Sequence, residues 1–425
     1  MALPNCQIIE HPDLLMVCRH GLEWGPPRSD ELIPLPPESE LFLLPGRTAV
    51  GLNPESGEVE ELEGTLAVAA FLAPAHTLSA HPAYQTQATA PLLPLFAYAA
   101  VGFWQDQFYV CAKKVDTEPR QVFANIPKAR LEREARRLAR AYPKNRLVQH
   151  ILNNCLASYD CPAARNFALG RYEAPLPSAQ TCNARCLGCI SARDEDSPLS
   201  STPQCRLSFT PKPEELAEVM EIHASRERLR PIFSFGQGCE GDPLQNAELL
   251  AQSISLFRKK GGLGTINCNT NGSRPEVLAD LANAGLTSIR VSLNSAKEDL
   301  YQAYYRPKGY SFAKVQESLK LARRLELFSS LNLLYFPGLT DTEEELSALT
   351  ELVSSCGVSF IQLRNLNIDP EWYLKQLKEA TNYEPSTCGM GLKSFLKRLG
   401  KACPWLKFGY FNPYVGTKAI LTSPL

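Results

Sequence analysis

The stretch Ser288-Ile289-Arg290-Val291-Ser292-Leu293-Asn294-Ser295 decides how the middle of this chain is read. Successive side chains of a strand point to opposite faces. Ile289, Val291 and Leu293 therefore share one face, and Arg290, Ser292 and Asn294 the other. Two further runs behave alike: Ile266 and Cys268 oppose Asn267 and Asn269, and Ile361 and Leu363 oppose Gln362 and Arg364. A strand buried between two helix layers would be apolar on both faces. One polar face on each of three strands predicts a parallel sheet curled around a polar, ligand-holding interior. The site is expected at the rim made by the strands' C-terminal ends.

Outward from that stretch, extended runs at 231–235, 264–269, 288–292, 330–335 and 359–364 alternate with helical patterns at 247–260, 275–284, 296–325 and 342–356. Such alternation builds βα units. The expected fold class is α/β: a partial parallel (β/α)6 barrel over residues 174–370, with 359–364 as its last strand. An N-terminal β-rich accessory domain over 1–125 and a helical linker over 126–173 precede it. A small C-terminal extension over 371–425 follows and is expected to cap the barrel mouth; its aromatics among lysines also suit single-stranded nucleic acid. Runs 97–104 and 108–115 in the first domain read as a hairpin. In the linker, Leu131, Ala135, Leu138 and Tyr142 share one helical face, opposite Arg133, Arg136, Arg137 and Arg140. A solvated basic face explains those arginines, and a contact for an acidic partner or nucleic acid is the sharper reading.

Composition excludes more than it identifies. The 425 residues are 44% hydrophobic and carry 44 Lys plus Arg against 45 Asp plus Glu, which rules out a disordered chain or a strongly basic coat protein. The balance is uneven: residues 1–64 hold 12 acids and 3 bases, residues 126–150 hold 8 bases and 2 acids, and no acid follows Glu384. The longest apolar run, 91–104, is short of the roughly 20 residues of a membrane helix and contains Pro94 and Gly102, so no membrane span is expected. The N-terminal MALPNCQIIEHPDLL lacks a basic segment followed by an apolar one. A cytoplasmic location is expected, where the 14 cysteines serve as ligands, reactive thiols or core residues rather than disulfides.

Three of those cysteines stand apart. Thr181-Cys182-Asn183-Ala184-Arg185-Cys186-Leu187-Gly188-Cys189 places three thiols within eight residues, at the head of the α/β region. Thiolates are soft ligands that select zinc or iron–sulfur clusters. A four-thiolate zinc site completed by Cys205 is one reading, and with it a non-enzymatic zinc-binding module that contacts nucleic acid or protein. An iron–sulfur cube is the other: three thiolates fill three irons and leave the fourth open for a chelating ligand.

The triplet resembles the signature of the radical S-adenosylmethionine (SAM) superfamily. Three further motifs follow in that family's order. Ser234-Phe235-Gly236-Gln237-Gly238-Cys239-Glu240-Gly241-Asp242-Pro243 is similar to its Gly-Gly-Glu-Pro loop, Asn269-Thr270-Asn271-Gly272 follows the next strand, and Ser292-Leu293-Asn294-Ser295 resembles its ribose-binding motif. The resemblance implies a [4Fe–4S] cluster held by Cys182, Cys186 and Cys189, and S-adenosylmethionine contacted by Gly238, Glu240, Gly241, Asp242, Asn269, Asn271, Ser292, Asn294 and Gln362. It also implies reductive cleavage of SAM to a 5′-deoxyadenosyl radical that abstracts hydrogen from a substrate, with RNA or protein favoured over a small metabolite. A flavodoxin- or ferredoxin-like protein would supply the electron. One position departs from the family: the residue before the third cysteine, usually aromatic and close to the adenine, is Gly188.

Overall fold

A computed structural model describes residues 1–193, 197–199, 202–381, 383 and 389–417. Seven parallel strands form its central sheet, in chain order: β1 (Glu173–Pro175), β2 (Ile232–Phe235), β3 (Thr265–Thr270), β4 (Ser288–Leu293), β5 (Phe328–Tyr335), β6 (Phe360–Asn365) and β7 (Lys407–Gly409). Between them run helices α1 (Pro213–Arg226), α2 (Ala247–Lys259), α3 (Leu278–Ala284), α4 (Glu298–Tyr305), α5 (Phe312–Arg324), α6 (Glu343–Cys356), α7 (Pro370–Ala380) and α8 (Leu392–Ala402). The sheet curls into a half-barrel, as the one-sided polarity predicts. Ile266, Cys268, Ile289, Val291, Leu331, Leu333, Ile361 and Leu363 are fully buried in the large core shared with the helices. Each such aliphatic side chain contributes about 1.5–3 kcal/mol, so the helix-facing residues hold the sheet curled and the polar interior need not.

The described end of the extension lies at the sheet edge and the floor of the barrel. It adds β7 beside β6, with Phe360 opposite Lys407 and Gln362 opposite Gly409, so the sheet has one strand more than the sequence pattern predicted. The chain then turns under the barrel. The Asn412 Nδ2 donates to Glu173 Oε1 (2.5 Å) and Ser234 Oγ (3.1 Å), and its Oδ1 accepts from Gln362 Nε2 (2.7 Å). The amides of Val415 and Gly416 donate to Thr265 Oγ1 at 2.8 and 3.0 Å. Glu173 and Thr265 open their strands, so this tail forms the floor. Phe411 is buried there with Tyr172 and Ile232, and Tyr410 and Tyr414 pack against them; these three rings are thus core rather than a surface for stacked bases.

The N-terminal region is antiparallel and strand-rich. The expected hairpin forms between Tyr98–Trp104 and Gln107–Lys114. The linker helix spans Lys128–Ala141, with Leu138 buried and all four arginines exposed; two of them pair with acids of the same helix, Arg136 with Glu132 and Arg137 with Glu134. Among the described residues no helix is long and apolar enough to cross a membrane.

The N-terminal strands sit against the β5 and β6 ends of the rim. Leu78 N donates to Asn365 Oδ1 (2.9 Å), Phe96 N to Asn367 Oδ1 (2.7 Å), and Ile368 N to Phe96 O (3.1 Å). The buried pair Arg47–Asp369 (2.5 Å) fixes the same loop, as does Arg19–Glu371 (3.0 Å).

Candidate functional site

The cysteine loop follows β1 and lies across the barrel mouth. Its backbone is tied to the end of α4: Arg185 N and Leu187 N donate to Tyr305 O and Tyr304 O, both at 2.9 Å. Cys182, Cys186 and Cys189 are each partly buried. Burial pushes the Cys186 thiol well up and that of Cys182 up to about 11, Asp242 adding to the latter. Donors converge on these sulfurs. Ala184 N lies 3.4 Å from Cys182 Sγ and Asn271 Nδ2 4.0 Å from it; Ala192 N lies 3.3 Å and Arg206 Nη2 3.9 Å from Cys189 Sγ. Amides and a guanidinium around sulfur stabilise the thiolate form that ligates a metal.

The donor set fits a cluster better than a single ion. The three thiols do not meet within 4.8 Å of one another; among the described residues the one trio that does is elsewhere in the chain. Tetrahedral zinc, with Zn–S near 2.3 Å, would bring its sulfurs to roughly 3.8 Å. Cys205 is exposed and its backbone is held by Tyr159, so it does not complete a zinc site.

Gly188 has a structural explanation. A Cβ there would lie 2.8 Å from the Tyr304 hydroxyl and 3.0 Å from Asn367 O. The space that an aromatic would need is filled from α4 and from the loop after β6.

The glycine-rich loop after β2 closes over the cysteine loop. Gly241 N donates to Ala179 O (2.8 Å) and Asp242 N to Thr181 O (2.9 Å). A Cβ on Gly241 would stand 1.9 Å from Thr181 O, so no other residue permits this approach. Gly238 lies against Ile190, which a Cβ would meet at 2.8 Å. The two acids are braces. Glu240 accepts from the amides of Ser178 (2.7 Å), Ala179 (2.9 Å), Gly236 (2.7 Å) and Gln237 (3.2 Å), and burial lifts its carboxyl to about 7. Asp242 accepts from Asn271 N (2.6 Å) and Thr270 Oγ1 (2.8 Å), joining the ends of β2 and β3. Asn269 donates to Phe235 O (2.7 Å) and Asn271 to Asn183 Oδ1 (2.8 Å). Their carboxylates and amides are thus turned into the scaffold, and the loop presents backbone to the mouth.

At the end of β4 the polar atoms are less fully engaged. Asn294 Nδ2 donates to Leu300 O (3.0 Å) and Tyr373 Oη (3.2 Å), but its buried Oδ1 has no partner. Ser292 is half-buried. An orphaned buried acceptor at the rim is an expected mark of a ligand's hydrogen bond. Gln362 is placed differently from the other expected residues. It is fully buried toward the floor, its amide oxygen bonded by Arg290 and its nitrogen by Asn412. Burial, with Arg364 near, pulls the Arg290 guanidinium down to about 9. Cys239 turns to Cys155 rather than to the cysteine loop, and Cys388 lies outside the described residues. Arg206, Tyr304 and Asn367 carry no motif spacing that would have singled them out.

A half-barrel of parallel strands carries, at its mouth, three free thiols on one loop and an open glycine cradle against it, a donor set suited to an iron–sulfur cofactor. The family model of the radical SAM superfamily matches residues 176–350, so this stretch of the chain is similar to a radical SAM domain. Members of that superfamily use a [4Fe–4S] cluster and SAM, and they draw on an electron donor. Similar solved structures include the radical SAM methyltransferase TsrM from Kitasatospora setae (15% identity, TM-score 0.35, 47% of this chain and 36% of that one). SuiB from Streptococcus suis bound to SAM is another (12%, TM-score 0.38, 71% and 68%), and methylornithine synthase PylB a third (14%, TM-score 0.36, 67% and 72%). The chain thus spans about a third of the methyltransferase's length. No curated protein matches the sequence.

Proposed function

We propose that this chain is a radical SAM enzyme that acts on a macromolecular substrate in the reducing cytoplasm, supplied with electrons by a flavodoxin- or ferredoxin-like protein. The observation that carries the reading is the triplet: Cys182, Cys186 and Cys189 on one loop at the barrel mouth, with the glycine cradle of 238–241 against it. Bound there, a cluster chelating SAM supplies a 5′-deoxyadenosyl radical for hydrogen abstraction. The protein's share is position and exclusion of water. The backbone of the 236–242 loop, Ser292 and the unpartnered Oδ1 of Asn294 would hold the cofactor, and the floor tail closes the far end of the barrel.

A protein is favoured over RNA. The N-terminal strands stand beside the rim, and residues 1–64 carry a net charge of −9 that would repel phosphate. They also line an open apolar groove of about 910 Å3, with Ile8, Leu15 and Trp104 exposed along it. Anaerobic reconstitution should give about four irons per chain and reductant-dependent release of 5′-deoxyadenosine. Cys186→Ala should abolish both. A reconstituted, reduced protein that leaves SAM intact would sink the reading, and deuterium transfer from labelled candidate peptides into 5′-deoxyadenosine tests the substrate class.

A further inference from the structure

A second group of metal-ligating side chains lies in the N-terminal region, away from the cysteine triplet. Cys18 and His20 are on the strand Cys18–His20, and alternation puts them on one face while Arg19 turns to Glu371. Glu31 immediately precedes the strand Leu32–Pro34. The ligand atoms of Cys18, His20 and Glu31 all lie within 4.8 Å of one another, and the three residues are buried. A fourth donor comes from the hairpin: Cys111, fully buried, shares the small core of Cys18, Ala80 and Ala100, its thiol beside that of Cys18. His20 Nε2 stands 2.9 Å from Glu31 Oε1. A pocket of about 40 Å3 opens beside Glu31, lined by Arg28 and Ser79, and the Ser79 hydroxyl is buried without a partner.

Four donors, three from two strands and one from the turn before a third, two of sulfur and two of nitrogen or oxygen, suit a closed tetrahedral site. Tetrahedral zinc separates its ligand atoms by roughly 3.3–3.8 Å; Cys18, His20 and Glu31 already lie within 4.8 Å of one another, and Cys111, beside Cys18, would have to turn toward them to complete the set. The charges also balance. Two thiolates and one carboxylate carry three negative charges; a divalent ion leaves one, and the Arg28 guanidinium, 3.8 Å from Glu31, offsets it. Without metal, the Glu31 carboxylate is held by His20 Nε2 and by the Arg28 amide (3.1 Å), while the two thiols beside it have, among the described residues, only each other.

We propose that Cys18, His20, Glu31 and Cys111 form a structural zinc site that fastens the N-terminal strands at their junction with the barrel. The location supports a structural role. One residue beyond His20, Gly21 N donates to Pro337 O (2.9 Å) in the loop after β5, and Arg28 donates to Gly389 O. Zinc at this point cross-links the first strand, the Glu31 turn and the hairpin, and it sets the platform that meets the rim. Ligation displaces the two thiol protons, so no redox partner is needed.

The test uses the full chain with Cys182→Ala, Cys186→Ala and Cys189→Ala, so that neither iron nor stray zinc occupies the triplet. Grown with zinc, it should hold one zinc ion per chain after gel filtration. Its zinc-edge X-ray absorption should show two sulfurs near 2.3 Å and two lighter ligands near 2.0 Å. Adding Cys18→Ser or Glu31→Gln should lower retained zinc at least about tenfold after chelator treatment. The absorption spectrum needs no change at the site itself, so it stands even where those variants misfold. Zinc-free protein after incubation with the ion, a spectrum without sulfur neighbours, or full zinc retention in the Cys18→Ser/Cys111→Ser pair would overturn the proposal. So would thiol titration showing Cys18 and Cys111 joined as a disulfide in the isolated protein.

Discussion

At the scale of single residues, the site is defined by groups that cannot be exchanged for near equivalents. Gly241 is the sharpest case, because its missing Cβ is what lets the loop after β2 lie on Thr181. Gly241→Ala should destabilise the fold by about 1–3 kcal/mol through overpacking. By shifting the loop it should slow SAM cleavage about 100-fold, a loss seen as 5′-deoxyadenosine formed per minute in the reconstituted enzyme. Near wild-type turnover would show that the loop has room to adapt. Glu345 makes a second, pH-dependent case. It accepts from Ser295 Oγ and Ala296 N, both at 2.6 Å, and burial raises its carboxyl to about 7 from 4.5. A carboxyl raised on folding favours the native state while protonated, so that stability is full below about pH 4.5 and lost as pH passes 7. Glu345→Gln keeps both bonds, the amide oxygen accepting from Ala296 N and the amide nitrogen donating to Ser295. The variant should therefore gain on the native protein, by on the order of 3 kcal/mol between pH 4.5 and 8. Urea unfolding at several pH values measures the difference; a constant gap would refute the assignment.

At the scale of elements, the floor of the barrel depends on a single tail. Asn412 satisfies Glu173, Ser234 and Gln362 together, so Asn412→Ala leaves several buried polar groups without partners. Its expected cost is about 2–4 kcal/mol, measured as a shift in the urea midpoint at unchanged slope. A shift of a few tenths would mean that water replaces the amide. This element also marks where the sequence stops being legible. Strands β2 to β6 announce themselves through alternation and βα spacing, because long pairing and a helix-facing apolar side leave a periodic trace. Strand β7 has three residues, Lys407–Gly409, too few for any period, and its place is fixed by contacts with β6 far back in the chain. The same division runs through the site. Three cysteines at fixed spacing are visible from sequence, since one loop holds them all. Arg206 and Tyr304 reach that loop from elsewhere and leave no local pattern. Nor does sequence show that Glu240 and Asp242 point into the scaffold, because a carboxylate beside glycines looks the same whether it holds a ligand or a neighbouring amide. Gln362 shares its strand face with Arg364, and only the floor network distinguishes its surroundings.

At the scale of the whole molecule, the N-terminal strands reach the cofactor loop through the short segment 365–369 and through Arg193, whose guanidinium donates to Pro94 O (2.7 Å). Asn365 is bonded to the strand His76–Leu78 by Leu78 N, Asn367 Oδ1 accepts from Phe96 N, and Asp369 pairs with Arg47. On its other side, Asn367 O lies so near Gly188 that a Cβ there would meet it at 3.0 Å. The segment thus packs against the N-terminal strands on one side and the cysteine loop on the other. Arg47 and Asp369 are each 1% exposed, and Asp369 also caps α7 by accepting from Glu371 N and Trp372 N. Arg47→Ala leaves that carboxylate buried without its cation, a loss of about 3–5 kcal/mol. Because the broken pair joins two parts of the chain, the damage should not stay local. Unfolding followed by far-ultraviolet dichroism and by the visible absorbance of the reconstituted cluster should move together to lower denaturant in Arg47→Ala. If the N-terminal strands instead melted first while the cluster signal kept its native midpoint, the two parts would be separate folding units, and segment 365–369 a tether rather than a brace.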